Sequence, residues 1–157
     1  KGLARIMLVE DNELNREIAY ELLSESGLIV DVAENGQEAI KLLGIRPENY
    51  YELIFMDIQM PVMNGYEATA NIRAGESDYW KTIPVIAMTA NVFQEDESRA
   101  AECGMSDYVT KPIDMNVIYS VLEKWLGTRK DDVRQYLPEL FIYSGSRPEG
   151  ASGGAGI

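Results

Sequence analysis

Apolar residues in this chain alternate between short unbroken runs of strand length and longer stretches in which they return every three or four positions. The first run, Arg5 to Val9 (RIMLV), gives way from Asn12 to a helical period with Leu14, Ile18 and Leu22 in one row and Ala19 and Leu23 beside it; Gly27 predicts its C-terminal cap. Leu28 to Ala33 (LIVDVA) predicts a second strand, and Asn35 to Leu43 a second helix. Gly44 and Pro47 break that period, so GIRPENYYE reads as a surface loop. The densest run, Leu53 to Met56 (LIFM), ends in one carboxylate, Asp57, and then in the turn formers Pro61, Asn64 and Gly65. Gly65 to Ala74 predicts a third helix, and Gly75 to Thr82 a polar connection whose Tyr79 and Trp80 cover a helix end. Ile83 to Met88 (IPVIAM) predicts a fourth strand ending in Thr89. Asn91 to Cys103 predicts a fourth helix closing at Gly104, with a thin apolar face that suits a loosely held element. Tyr108 to Thr110 is a short fifth strand running into Lys111 and Pro112. Ile113, Val117, Ile118, Val121, Leu122 and Trp125 then make the most amphipathic helix of the chain.

Five strands, each followed by a helix, predict an α/β fold: a doubly wound parallel sheet with right-handed crossovers and helices on both faces, over residues 1–127. Residues 128–157 form an extension. Its apolar patch over 133–141 has helical spacing interrupted by Pro138, and its Gly/Ser-rich end has linker composition. With 26 acidic against 14 basic residues and a net charge of -12, nucleic acid is not expected as a direct ligand. The single cysteine, Cys103, excludes an internal disulfide and reads as an inert, small apolar residue. The absence of histidine excludes histidine acid–base chemistry and histidine metal ligation by this chain. No run approaches the roughly eighteen apolar residues of a membrane span, and the N-terminus lacks a signal-peptide layout, so no membrane contact and a cytoplasmic location are expected. An opening at Lys1 rather than Met is expected of a segment of a longer polypeptide.

Ligands of open α/β sheets bind at the carboxyl ends of the strands. That edge is predicted to carry Glu10 and Asp11 after strand one, Asp57 after strand three, Thr89 after strand four and Lys111 after strand five. An Asp that merely ends a strand and opens a turn is commonplace; the five residues together are not. Three crowded carboxylates repel one another, and a hard divalent cation such as Mg2+ relieves this by taking their oxygens as ligands. Lys111 adds a point charge for an anionic group and Thr89 a hydroxyl donor. A carboxylate nucleophile, a metal, a cation and a hydroxyl describe phosphoryl transfer onto Asp57.

The ordered motifs VEDN (Val9 to Asn12), MDIQMPVMNG (Met56 to Gly65), MTA (Met88 to Ala90) and DYVTKP (Asp107 to Pro112) resemble the receiver domain of two-component response regulators, over about residues 4 to 127. The resemblance implies a flavodoxin-like (βα)5 sheet of order 2-1-3-4-5. It implies Asp57 as phosphoacceptor, Asp11 as direct ligand of Mg2+ (Mn2+ also suits), Glu10 acting mainly through water, and the Gln59 main-chain carbonyl completing the protein's share of the metal shell. Thr89 and Lys111 would bind phosphoryl oxygens, and the Lys111–Pro112 peptide would be cis. Tyr108 matches an aromatic switch that turns inward once Thr89 is drawn to the phosphoryl group. Ile58, Gln59 and Asn91 border the line of water attack and are expected to set the lifetime of the acyl phosphate.

VEDNELN and MTAN further resemble receivers of hybrid sensor histidine kinases, which implies a histidine kinase or histidine phosphotransfer domain as partner, docking on Asn12, Asn15 and the exposed face of the first helix. Such a segment would be the cytoplasmic part of a membrane-bound sensor kinase. Self-association through the fourth helix, fifth strand and last helix is a further expectation. Two rival readings exist. A phosphohydrolase of the haloacid-dehalogenase type wants a second carboxylate where Gln59 stands. A pseudo-receiver, working only as an interaction module, has no need of competent residues at all five site positions.

Overall fold

The computed structural model describes residues 4–90 and 97–127. They build a parallel five-stranded sheet of order β2-β1-β3-β4-β5, from β1 (Arg5–Val9), β2 (Ile29–Ala33), β3 (Leu53–Asp57), β4 (Val85–Thr89) and β5 (Asp107–Thr110). Six helices lie between and after them: α1 (Glu13–Glu25), α2 (Gly36–Ile45), α3 (Gly65–Arg73), α4 (Asp78–Thr82), α5 (Glu97–Cys103) and α6 (Met115–Trp125). The expected α/β architecture and strand order are those observed. Asn91 and residues 128–157, with the 133–141 patch, lie outside the described residues.

The central strands β3 and β4 are buried at every position, because helices cover both faces of the sheet. Side chains alternate between the two faces, which makes two cores. Ile6, Leu8, Phe55 and Ile86 meet Ala19 and Leu23 of α1 and Ile118 and Leu122 of α6. Met7, Ile54, Met56 and Ala87 meet Ala39 and Leu43 of α2 and Ala68 and Ile72 of α3. Each Leu, Ile, Met or Phe side chain so removed from water stabilises by about 1.5–3 kcal/mol. Met56, Met60 and Met88 are buried in these cores, as filler residues should be.

Helix starts are set by side-chain caps. Asn12 accepts the Asn15 N–H at 2.8 Å, Asn35 the Glu38 N–H at 2.8 Å and Asp114 the Val117 N–H at 2.9 Å, while Asn64 and Glu67 form a reciprocal capping box. Gly27 follows α1 with a φ of 87°, the left-handed conformation that ends helices.

Two local expectations are corrected. The connection Gly75 to Thr82 contains the short helix α4, capped by the Ser77 side chain on the Trp80 N–H; five residues are too few to leave a readable apolar period. The loop after α2 is not all surface: Tyr51 is 2% exposed, its hydroxyl donates to Asp31 at 2.6 Å, and its N–H donates to the Tyr79 hydroxyl at 2.8 Å. Helix α5 begins at Glu97 within the described residues, and among its described side chains Ala100 alone is buried. Cys103 is half-buried, with burial raising its thiol pKa, which suits an unreactive residue. No helix among the described residues is long and apolar enough to cross a membrane.

Candidate functional site

The register places the carboxyl ends side by side: Val9 pairs with Met56, Asp57 with Met88, and Thr89 with Thr110. Just past β1, the Glu10 N–H donates to Ala33 at 3.0 Å, extending the ladder by one residue. The Glu10 side chain turns inward, where Oε2 accepts the Asn12 N–H at 3.1 Å. Asp57 closes β3 at 4% exposure. Against it α3 opens with Gly65, whose N–H donates to Ile58 at 2.7 Å. A Cβ there would collide with the Asp57 main-chain oxygen and Ile58, so the turn after Asp57 admits only glycine.

Glu10, Asp11 and Asp57 each offer an oxygen within 4.8 Å of the others, with Glu10 and Asp57 buried and Asp11 exposed. Lys111 Nζ lies 3.0 Å from Glu10 Oε1 and 3.0 Å from Asp57 Oδ1. One ammonium shared by two buried carboxylates leaves negative charge uncompensated. Burial, followed by repulsion from Glu10, outweighs the attraction of Lys111 and pushes the Asp57 carboxyl from its ordinary 3.8 up to about 7. Burial opposes the Lys111 charge as well, but its contacts with Glu10 and Asp57 prevail and raise its pKa. The cluster is therefore short of positive charge, with an open side at Asp11. Hard oxygen donors in that arrangement fit a small divalent cation.

Thr89 is 4% exposed, one position beyond the β4 partner of Asp57, and its carbonyl accepts the Lys111 N–H at 2.7 Å. The Lys111–Pro112 peptide is cis. Ile58 and Gln59 line an open cavity of about 470 Å3 beside the turn after Asp57, together with Pro61, Tyr66 and Arg99. Tyr108 does not join the cluster: it stands on β5 at 40% exposure. Asn91 lies outside the described residues.

Three arginines missed by the sequence reading tie together the elements around the site. Arg16 donates from Nη1 to the main-chain carbonyls of Glu10 at 3.0 Å and Asp11 at 3.4 Å. Arg73 of α3 donates to Gly104 at 2.9 Å and to Trp80 at 3.0 Å, fixing the C-terminal end of α5. The Arg99 guanidinium stacks 4.4 Å from the Tyr66 ring centroid, next to Gly65. Only Arg16, one helical turn past the Asn12 cap, had a position that hinted at its contacts.

Comparison with known proteins places this arrangement. The family model for the response regulator receiver domain matches residues 6–123. The chain belongs to that family. Hybrid signal transduction histidine kinase I of Dictyostelium discoideum is 36% identical over 120 residues; the match covers 75% of this chain but 7% of that protein. The receiver thus spans a small fraction of such a relative's length. Among solved structures, the receiver domain of a sensor histidine kinase from Pseudomonas aeruginosa, with magnesium coordinated in its active site cleft, is 33% identical, with a TM-score of 0.72 over 80% of this chain and 99% of that one. The receiver domain of Saccharomyces cerevisiae Ssk1, crystallised with the histidine phosphotransfer protein Ypd1, is 31% identical, with a TM-score of 0.67 over 78% of this chain and 88% of that one.

Proposed function

We propose that this receiver takes a phosphoryl group from a phosphohistidine donor onto Asp57 in the presence of Mg2+, and that the new charge repositions the surface formed by β4, α5 and β5. The observation that carries this reading is the convergence of the Glu10, Asp11 and Asp57 carboxylates with the Lys111 ammonium 3.0 Å from two of them. Asp11, exposed, would bind the cation directly. Glu10, already engaged by Lys111 and the Asn12 N–H, would act mainly through water. Asp57 and the Gln59 main-chain carbonyl would supply the remaining protein oxygens, to Mg2+ or to Mn2+. The bound cation would offset charge on the carboxylates and the phosphoryl oxygens.

A carboxylate oxygen of Asp57 attacks phosphorus; the P–O bond forms as the P–N bond to the donor imidazole breaks, and the nitrogen keeps the electron pair. Lys111 meets a phosphoryl oxygen with its ammonium and Thr89 another with its hydroxyl. Phosphorylation adds about two negative charges. Thr89 moving toward them vacates space into which Tyr108 turns from its exposed position. Ile58, Gln59 and Asn91 would then set how long the acyl phosphate survives; unchanged autodephosphorylation in Ile58, Gln59 and Asn91 variants would refute that assignment.

A histidine kinase or histidine phosphotransfer domain would dock on α1. Leu14 and Ile18 are 65% and 51% exposed there, beside a groove of about 380 Å3 lined by Asn15, Ile18, Lys111, Pro112 and Ile113. Exposed apolar residues rimmed by polar ones suit a helical partner. The likeness to hybrid kinases supports a receiver carried in the cytoplasmic part of a sensor kinase. The exposed Tyr108 face is the one through which switched copies would self-associate.

The deciding experiment is intact-mass analysis after incubation with Mg2+ and phosphoramidate, beside Asp57→Asn. Gain of one phosphoryl group, lost without Mg2+ and in the variant, supports the reading. Absence of both the gain and Mg2+ binding leaves an interaction module that works without phosphorylation.

A further inference from the structure

Two of the three clustered carboxylates, Glu10 and Asp11, sit on consecutive residues of one short turn. Repulsion between the like charges drives such a turn open, opposed within the turn by the Asn12 N–H that donates to Glu10 Oε2 at 3.1 Å. The structure shows what holds it. Arg16 is half-buried on its helix with a side chain 16% exposed, and its Nη1 reaches both carbonyls of the turn, Glu10 at 3.0 Å and Asp11 at 3.4 Å. Its Nη2 lies 3.8 Å from Glu34, at the turn that opens α2. The Arg16 N–H itself donates to Asn12 at 2.8 Å, so the guanidinium is presented from the first turn of α1.

We propose that Arg16 is a positioning residue for the cation site: it fixes the main chain behind Glu10 and Asp11 so that their carboxylates stay converged on Asp57 before any cation arrives. The inference rests on the metal-dependent reading above and adds a residue to it. Hydrogen bonds to main-chain carbonyls from a partly buried guanidinium are charge-assisted and hold direction as well as distance. Groups that orient ligands in this way typically change metal affinity by about 10–100-fold when removed.

The sign of the effect separates this role from plain electrostatics. A guanidinium near a cation site repels the cation, so if Arg16 acted only through its charge, neutralising it would tighten Mg2+ binding. If it positions the turn, neutralising it weakens binding, because ordering of the turn is then charged to the binding step.

The test is titration calorimetry of Mg2+ onto the wild-type chain, Arg16→Gln, Arg16→Lys and Glu34→Gln, with phosphoramidate labelling of each across a Mg2+ series. Arg16→Gln is expected to raise the Mg2+ Kd about tenfold or more. The Mg2+ concentration for half-maximal labelling should rise in step, while the labelling rate at saturating Mg2+ stays near wild type. Arg16→Lys, which keeps the charge but not the forked donor, should fall between, and Glu34→Gln should stay within about twofold. Unchanged or tightened binding in Arg16→Gln overturns the proposal. Should that variant fail to fold, Arg16→Lys decides alone: wild-type affinity overturns the proposal and weakened affinity supports it. A wild-type chain that binds no Mg2+ overturns the metal-dependent reading itself and this inference with it.

Discussion

On one side of Asp57, the corner between β1 and α1 is tied down by a ladder bond from Glu10, a cap from Asn12 and two main-chain bonds from Arg16, over a helix whose Ala19 and Leu23 are buried. On the other side, α5 buries Ala100 alone among its described side chains, and is held at its far end by Arg73 and near the site by Arg99 stacked on Tyr66. Asp57 thus lies between a braced corner and a lightly packed helix. A corner that must hold two carboxylates against a third, Asp57, gains from pre-organisation. An element that, under the proposed function, would report a new charge gains from low local stability, since a change of a few kcal/mol at the site then suffices to move it.

The largest perturbation of this contrast is at its centre. Asp57→Asn is expected to abolish phosphoryl gain by intact mass, and also to stabilise the metal-free domain. The folded-state carboxyl titrates near 7 against an ordinary 3.8, so between about pH 4 and pH 7 the folded state keeps a proton that the unfolded state has lost. Wild-type stability therefore falls as pH rises through that window, and the variant escapes the loss. Denaturant unfolding without Mg2+ should show the gap opening above pH 4 and reaching on the order of 2 kcal/mol at neutral pH. Saturating Mg2+, which favours the ionised carboxylate, should shrink or reverse it.

Lys111→Met comes next. It leaves Glu10 and Asp57 facing each other without their shared ammonium, so the labelling rate with phosphoramidate should drop by roughly a hundredfold. A rate within about threefold of wild type would show that Lys111 is dispensable to transfer. On the lightly packed side, Arg73→Met removes the donors to Gly104 and Trp80. Stability should fall by about 1–3 kcal/mol, with amide exchange accelerating first at Gly104 and Met105 and staying slow in β1. Uniform acceleration across the domain would mean that α5 is no separate unit.

The smallest effect is expected at Val62, 75% exposed, which stands at a φ of 69° while the Met63 N–H donates back to Pro61 at 2.7 Å. That is a γ-turn with a β-branched residue at its strained centre. Val62→Gly should stabilise by about 0.5 kcal/mol, relief of strain exceeding the entropy cost of glycine. A loss of stability would show that the Val62 side chain makes contacts worth more than the strain.

Much of this was legible because it is local. The unbroken run Leu53 to Met56 marks a strand covered on both faces, and helical periods open at Asn12 and Asn35 and after the turn former Asn64, where the structure places side-chain caps. What escaped reading is contact across distance in the chain. Arg73 meeting Gly104, Arg99 meeting Tyr66 and Tyr51 meeting Tyr79 leave no periodic trace, because each joins elements through one long side chain. The short α4 escaped for a different reason, having too few residues to repeat a period.

The alternation of strands and helices, and the chemical groups that stand at the strand ends, could be read from the chain alone, since both follow from burial patterns and turn residues in short windows. Tertiary contact was needed to bring Glu10, Asp11 and Asp57 within 4.8 Å of one another, to share one lysine between two of them, and, through burial and then repulsion from Glu10 against the pull of that lysine, to raise the Asp57 carboxyl pKa. Those are consequences of parallel register and of desolvation, which depend on what the fold brings together and on how much water it removes.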